Sequence, residues 1–180
     1  PEAGAGPAQP EAWGGRHGGG HWTWQAGDST GARDLFAAVL PDQARVLGSD
    51  HPDSLTTTHN VANWTGEAGD PGRARDLAAA LLLDRVRVLG PDHPDTLSTR
   101  SYLAHWTGEA GDPARARDLL AALLPDQVRV LGPDHPNTLS ARHSVAHWTG
   151  QAGDSTGARD LFAAGLPAQA RGLGSDHPGS

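Results

Sequence analysis

The stretch GDSTGARD occurs twice, at residues 27–34 and 153–160, and it begins with the pattern of a catalytic serine. In G-x-S-x-G motifs the serine lies on a sharp turn between a strand and a helix, which exposes its hydroxyl as a nucleophile. Such chemistry would make Ser29 or Ser155 the reactive group of a hydrolase.

Two further copies of this stretch argue against serine chemistry. They read GDPGRARD at 69–76 and GDPARARD at 111–118, so Pro71 and Pro113 take the place of the serine. Proline cannot act as a nucleophile, and no strand pattern precedes the turn. An aspartate followed by proline is typical of a helix start, because the carboxylate of Asp112 can accept backbone N–H bonds and proline suits the first helical position. We therefore interpret GDSTG as a helix start and expect no catalytic residue.

The composition removes several other kinds of chemistry. The 180 residues include no Cys and no Lys, and the net charge is −7. Without Cys there is no disulfide or thiol catalysis, and without Lys there is no GxxxxGK phosphate loop or lysine Schiff base. The chain shows no basic patch, no apolar run long enough for a membrane span and no secretion signal. We expect no cofactor, no nucleic-acid partner, no membrane association and a cytoplasmic location.

The chain is built from an internal repeat of 42 residues. Four landmarks keep this step: the tryptophans at 22, 64, 106 and 148, the histidines of His-Pro pairs at 51, 93, 135 and 177, the aspartates at 28, 70, 112 and 154, and the alanines at 32, 74, 116 and 158. A fixed period of this length is the signature of supersecondary units that stack on one another.

Each unit reads as a helical hairpin, as residues 93–134 illustrate. Breaks at 111–113 and 132–134 bound its second half, because Gly, Pro and Asp disfavour helix continuation. The apolar residues of that half fall on one stripe of a helix; they are Ala116, Leu119, Leu120, Leu123, Leu124, Val128 and Leu131. A single hairpin cannot cover its own apolar face, so neighbours must stack. The sequence therefore predicts an all-α solenoid of stacked antiparallel helix hairpins.

The repeat resembles the tetratricopeptide repeat family in its 42-residue form, similar to the repeats of kinesin light chains. The resemblance covers residues 22–178 and rests on LG-x-D-H-P at the junction, Leu103-Ala104, Gly111, and Ala116 with Leu120. It implies a right-handed superhelix that binds peptides or protein segments in a concave groove lined by the first helices. It also implies a non-catalytic scaffold cut from a larger bacterial-type regulatory or signalling protein. The absence of an initiator Met agrees with a fragment.

The period divides the chain into segments. Residues 1–21 are rich in Gly and Pro and are predicted to be disordered or an eroded helix, because glycine disfavours helix. The rest divides into a partial repeat at 22–50, full repeats at 51–92, 93–134 and 135–176, and the truncated start of another at 177–180. Pro41, Pro125 and Pro167 fall within second helices, which we expect to be bent or divided. Eroded ends expose apolar faces, so a structural spacer or a self-associating segment is an alternative function.

Positions that differ between the first helices are the candidate binding residues. They are His59, Asn60 and Asn63; Ser101, Tyr102 and His105; and His143, Ser144 and His147. The spacing of one and four residues places each trio on one helical face. Polar, aromatic and imidazole groups suit a polar peptide, so we predict a protein or peptide ligand there. A merely solvated helix face is the alternative.

The histidines raise the question of a metal site. Copies in successive hairpins lie about 10 Å apart, too far to share one ion, so we expect each His-Pro histidine to cap or pack its own turn. His143 and His147, four residues apart, could chelate one ion from a single helix. They lack the glutamate of HExxH and an evident third ligand, and metal binding through this pair is kept as an alternative function. Trp64, Trp106 and Trp148 are predicted to be core residues.

Overall fold

The computed structural model of the protein describes residues 28–173, and every regular element in that span is an α-helix. The helices are α1 (Ser29–Val46), α2 (Pro52–Glu67), α3 (Pro71–Leu89), α4 (Pro94–Glu109), α5 (Pro113–Leu131), α6 (Pro136–Gln151) and α7 (Ser155–Leu173). None of these helices combines the length and the apolar character that crossing a membrane requires. The predicted all-α class is confirmed, whereas the interpretations of 1–21, Trp22 and 177–180 lie outside the described residues.

The chain divides into two compact units, residues 1–84 and 85–180. In the first unit α1 packs against α2. In the second unit α4 packs against α5, α5 against α6, and α6 against α7, while α4 and α6 also touch. Packing between sequence neighbours is the pattern expected of stacked hairpins.

Second helices begin at an aspartate cap. The carboxylate of Asp112 accepts a hydrogen bond from the N–H of Arg115 at 3.0 Å, and Pro113 follows as the first helical residue. Ser155 occupies the position of Pro113 at the start of α7, after helix α6 rather than a strand. The prediction that GDSTG starts a helix is therefore confirmed. Equivalent caps are made by Asp28, Asp70 and Asp154.

First helices begin at a histidine cap. The Nδ1 atom of His93 accepts a hydrogen bond from the N–H of Asp95 at 3.1 Å, and Pro94 starts the helix. His51 and His135 make the same bond. The predicted capping role is thus confirmed at these three positions, while His177 lies outside the described residues.

The recurrent Trp-Thr-Gly sequence supplies part of the core. Trp106 and Trp148 are 4% and 5% exposed, which confirms them as core residues, whereas Trp64 is half-buried. The buried hydroxyl of Thr107 donates to the carbonyl of Leu103 at 2.6 Å, one helical turn earlier. Because that bond satisfies the hydroxyl, Thr107 can be buried next to Trp106 at little cost in free energy.

The apolar stripe predicted for the second helix forms the core of the second unit. Ala116, Leu120 and Leu123 of α5 are fully buried and cluster with Leu97 of α4 and Trp148 of α6. The remaining leucines of the stripe pack at the margin of this cluster; they are Leu119, Leu124 and Leu131.

The prolines within second helices do not divide them. Helix α5 runs without a break through Pro125, as α1 does through Pro41 and α7 through Pro167. Pro125 and Ala121, the residue four positions earlier, are both exposed. Water can therefore hydrate the carbonyl that loses its helical N–H partner, so the missing bond costs less than it would in a buried helix, although the clash with the proline ring remains. The expectation of divided helices was therefore wrong, whereas a bend at these prolines stays a prediction.

A network of charged side chains connects α5 to α4 and to the junction between α3 and α4. Arg129 donates two hydrogen bonds to Asp92, at 2.6 and 2.9 Å, and a third to Asp126 at 3.2 Å. Arg100 of α4 donates to Asp126 at 2.8 Å. The hydrogen bond from Arg129 lowers the pKa of Asp92, and the bonds from Arg100 and then Arg129 lower the pKa of Asp126.

This network predicts a specific sensitivity to acid. A carboxylate whose pKa is lowered by folding stabilises the protein above its unfolded pKa of about 4, and this contribution disappears as the pH falls through the folded value. We expect acidification from pH 5 to pH 3 to lower the urea midpoint less in Asp126→Asn than in the natural chain. Asp118→Asn, which alters an exposed pair with the adjacent Arg117, is the control. Equal losses in all three proteins would contradict the network's role.

Candidate binding surface on the first helices

A small polar cavity lies between the first helices of the second unit. Its volume is about 100 Å³, and it is lined by Ser98, Ser101 and Tyr102 of α4 and by Asn137 and Ser140 of α6. The lining side chains carry hydroxyl and amide groups, which can both donate and accept hydrogen bonds. The cavity can therefore hold polar groups such as those of a peptide backbone.

Two of the three α4 residues predicted from the sequence lie at this cavity. Ser101 and Tyr102 line it. His105, one turn further along α4, is exposed, and its ring packs edge-on against Trp106 with 4.7 Å between the centroids. The same imidazole lies 6.3 Å from the ring of Trp148, so it sits over the contact between the two first helices.

The α6 trio is placed differently. His147 is exposed and packs edge-on against Trp148, with 4.7 Å between centroids, as His105 does in α4. His143 is also exposed, but its ring lies 5.0 Å from Phe162 of α7, and Ser144 is half-buried. None of these three lines the cavity, to which α6 contributes residues nearer its start.

The α2 trio belongs to the first unit. His59, Asn60 and Asn63 are half-buried there, and His59 and Asn63 take part in interactions with other residues. A role for these three in binding stays a prediction.

Three lining residues were missed by the sequence reasoning. Ser98 and Ser140 occupy the same repeat position, which holds Thr56 in the preceding unit, so the position varies only between two small hydroxyl side chains and did not stand out. Asn137 does vary, since Asp53 and Asp95 take its place in the earlier units, but it lies in the first turn, outside the face considered. The signal that could have found Ser98 is its spacing of three and four residues from Ser101 and Tyr102, which places all three on one face.

A buried polar side chain of α5 contacts one of the residues that line the cavity. Gln127 of α5 is fully buried, and its amide donates to the hydroxyl of Ser101 at 3.3 Å, which orients that side chain. One repeat earlier the same position holds Arg85, which is buried and donates to the carbonyl of Asp95 and the hydroxyl of Thr99. Desolvation lowers the pKa of Arg85, partly offset by the charge of Asp95.

The structure also bears on the metal question. Among residues 28–173 there is no group of three His, Cys, Asp or Glu side chains placed to hold an ion. His143 and His147 instead lie against Phe162 and Trp148. Metal binding by the histidine pair alone stays a prediction.

Family comparison identifies the class to which this fold and surface belong. A model of the tetratricopeptide repeat matches three consecutive stretches, residues 17–53, 54–95 and 96–137. The chain belongs to the tetratricopeptide repeat family. Repeats of this family generally act as non-catalytic scaffolds that bind protein partners. No significant match was found among curated proteins.

Solved structures show the same α-solenoid arrangement. A Podosopora anserina protein that is assigned as a kinesin light chain, with nearly identical TPR-like repeats, is similar to this chain with a TM-score of 0.78 and 26% identity. The match covers 94% of this chain and 81% of that one. BtubC (BKLC) from P. vanneervenii shares the fold with a TM-score of 0.76 and 16% identity, over 92% of this chain and 65% of that one.

Proposed function

We propose that this chain is a protein-interaction module that binds a polar, extended peptide segment on the surface of its first helices. The cavity between α4 and α6 carries this proposal, because Ser101 and Tyr102, chosen from the sequence as binding residues, both line it. The module belongs to a larger cytoplasmic regulatory protein of bacterial type and performs no catalysis itself.

The chemistry of the surface supports a peptide as the ligand. Hydroxyl and amide side chains can form hydrogen bonds with the backbone N–H and C=O groups of an extended chain. In a folded partner these backbone groups are already hydrogen-bonded to one another. Tyr102 provides a rigid aromatic surface with a polar tip, and tyrosine is enriched among residues that dominate binding energy. His105 extends the same surface along α4, so a segment of several residues could be held.

Binding should depend on Tyr102. A fluorescent peptide selected from a library against the natural chain is expected to bind at least about tenfold more weakly to Tyr102→Ala, because truncating a central aromatic anchor costs more than about 1.4 kcal/mol. Tyr102→Phe separates the hydroxyl from the ring. Fluorescence anisotropy measures the affinity, and thermal melting shows that each variant is folded.

Leu83→Ala is the matched control, since Leu83 is 74% exposed on α3 and lies outside the cavity lining. If Tyr102→Ala and His105→Ala leave peptide binding unchanged, the proposal of peptide binding on the first helices fails, and the alternative function of a structural spacer is favoured.

A further inference from the structure

A second cavity, apolar in character, lies where α5, α6 and α7 meet, and its volume is about 270 Å³. Among the described residues its lining comprises four aliphatic side chains and one charged side chain; they are Leu124, Val145, Leu161 and Ala164, and Arg142. None of these residues lines the polar cavity between α4 and α6, so the two cavities are separate. The aliphatic lining favours an apolar ligand, because removing apolar surface from water stabilises a complex roughly in proportion to its area.

The charged residue of this lining lacks the carboxylate partner that its equivalent has one repeat earlier. Arg100 of α4 donates to Asp126 of α5 at 2.8 Å. Arg142 holds the repeat position of Arg100, but alanine stands at 168, the repeat position of Asp126. Within the part of the chain that the structure describes, Arg142 donates to the carbonyl of Pro133 at 3.0 Å and forms no ion pair. A guanidinium has five N–H donors, so the others can bind an anion.

We propose that this cavity, the acyl site, binds a small aliphatic carboxylate with an unbranched chain. The carboxylate takes the place at Arg142 that the side chain of Asp126 takes at Arg100, and it forms charge-assisted hydrogen bonds with the guanidinium. The carbon chain lies against the aliphatic lining. The cavity of about 270 Å³ is slightly smaller than the sites of about 300–1,000 Å³ that hold drug-sized ligands, so the ligand is short, with about eight carbons.

The lining favours a free acyl carboxylate over the C-terminus of a peptide. A C-terminal residue brings a backbone amide as well as its carboxylate, and the N–H of that amide needs a hydrogen-bond acceptor when it is removed from water. Among the described residues of the lining, Arg142 alone has a polar side chain, and arginine has donors but no acceptor. The N–H of a peptide would therefore stay unpaired, whereas an acyl chain carries no such group.

Calorimetric titration of the full chain with sodium octanoate tests the proposal. Saturable binding of one octanoate per chain is expected, and the affinity should rise about tenfold from hexanoate to octanoate, because two more methylenes are buried. Octyltrimethylammonium, which has the same carbon chain and the opposite charge, should not bind. Absence of saturable octanoate binding, or equal binding of the cation, would overturn the proposal. Tighter binding of acetyl-leucine than of octanoate would assign the cavity to a peptide C-terminus and would also overturn it.

A change of charge tests the role of Arg142. Arg142→Gln should weaken octanoate binding at least about tenfold, because hydrogen bonds between charged groups are lost, and should leave the binding of uncharged octan-1-ol unchanged. Arg100→Gln makes the same replacement one repeat earlier and should leave the binding of both ligands unchanged. Undiminished octanoate binding to a folded Arg142→Gln chain would overturn the proposal.

A change of shape tests the position of the carbon chain. Ala164→Phe fills the acyl site and should weaken octanoate binding at least about tenfold, because the buried methylenes lose their place. Ala163→Phe is the matched control, since Ala163 is the adjacent residue of α7 and lies outside the lining. Both alanines are exposed, so both variants should fold, which thermal melting followed by circular dichroism would verify. Undiminished binding to Ala164→Phe would overturn the proposal, and this comparison decides if Arg142→Gln does not fold.

Discussion

Replacing Gly108 with alanine should destabilise the second unit by about 3 kcal/mol, at the upper end of the cost of overpacking a core. The added methyl group would overlap the ring of Trp148, which is itself buried and has little room to retreat. Either α6 must move away from α4 or the indole must leave its rotamer. Urea unfolding would measure the loss, and the thermal midpoint should fall by about 10 °C.

Gly150→Ala is the matched control, because it makes the same change at the same position of the next repeat. Among the residues that the structure describes, only the Cβ of Ala158, at 3.3 Å, meets the new methyl group there, and alanine favours helix over glycine, so the net change should stay below about 1 kcal/mol. In a Trp148→Ala background the cost of Gly108→Ala should largely disappear, since the clashing ring is gone. Similar losses of stability in Gly108→Ala and Gly150→Ala would show that overlap with the ring of Trp148 is not the cause.

The caps and helices were predictable because they depend on residues close in sequence. An aspartate three residues before the N–H that it accepts from, as Asp112 is before Arg115, can be identified without knowing the fold. The stripe containing Leu120 and Leu123 follows from helix geometry alone. The 42-residue period then fixed which elements recur, and stacking followed from the uncovered face of a single hairpin.

The contact between Trp148 and Gly108 could not be predicted in the same way. The sequence shows that glycine recurs at 108 and 150, but not which side chain approaches it. That partner, Trp148, lies 40 residues from Gly108 and reaches it only because adjacent hairpins stack at a particular offset. The offset is set by the sum of many core contacts, so no local pattern encodes it.

The binding surface shows the same limit. Variation between repeats pointed to Ser101 and Tyr102, and the cavity contains both. It did not point to Ser98 and Ser140, whose repeat position keeps a hydroxyl side chain as Thr56 in the preceding unit, because a cavity between two helices depends on shape as well as on residue type. His143 shares its repeat position with Ser101, yet its ring lies near Phe162 of α7. A longer side chain at an equivalent position can thus reach a different neighbour.

Replacing Pro125 with alanine should stabilise the protein by about 2 kcal/mol. Proline within a helix costs about 3 kcal/mol or more through its missing N–H and its clash with the carbonyl four residues earlier. Alanine would restore the bond to the carbonyl of Ala121, while the unfolded chain would regain about 0.4–1 kcal/mol of conformational freedom that opposes this gain. Helix α3 already shows that the position accepts an ordinary residue, since Leu83 stands there within an unbroken helix. The midpoint of urea unfolding would measure the change.

A second proline of the same helix provides the control, and its replacement should change the stability in the opposite direction. Pro113 is the first residue of α5, where the N–H has no helical partner and the fixed φ angle suits the turn. Pro113→Ala should therefore lower stability by about 0.5 kcal/mol, because it only frees the unfolded chain. A loss of stability in Pro125→Ala would mean that α5 is shaped around its proline and that the hydrated carbonyl of Ala121 carries little penalty. Opposite signs for the two prolines would show that the position within the helix, rather than the residue itself, decides what proline costs.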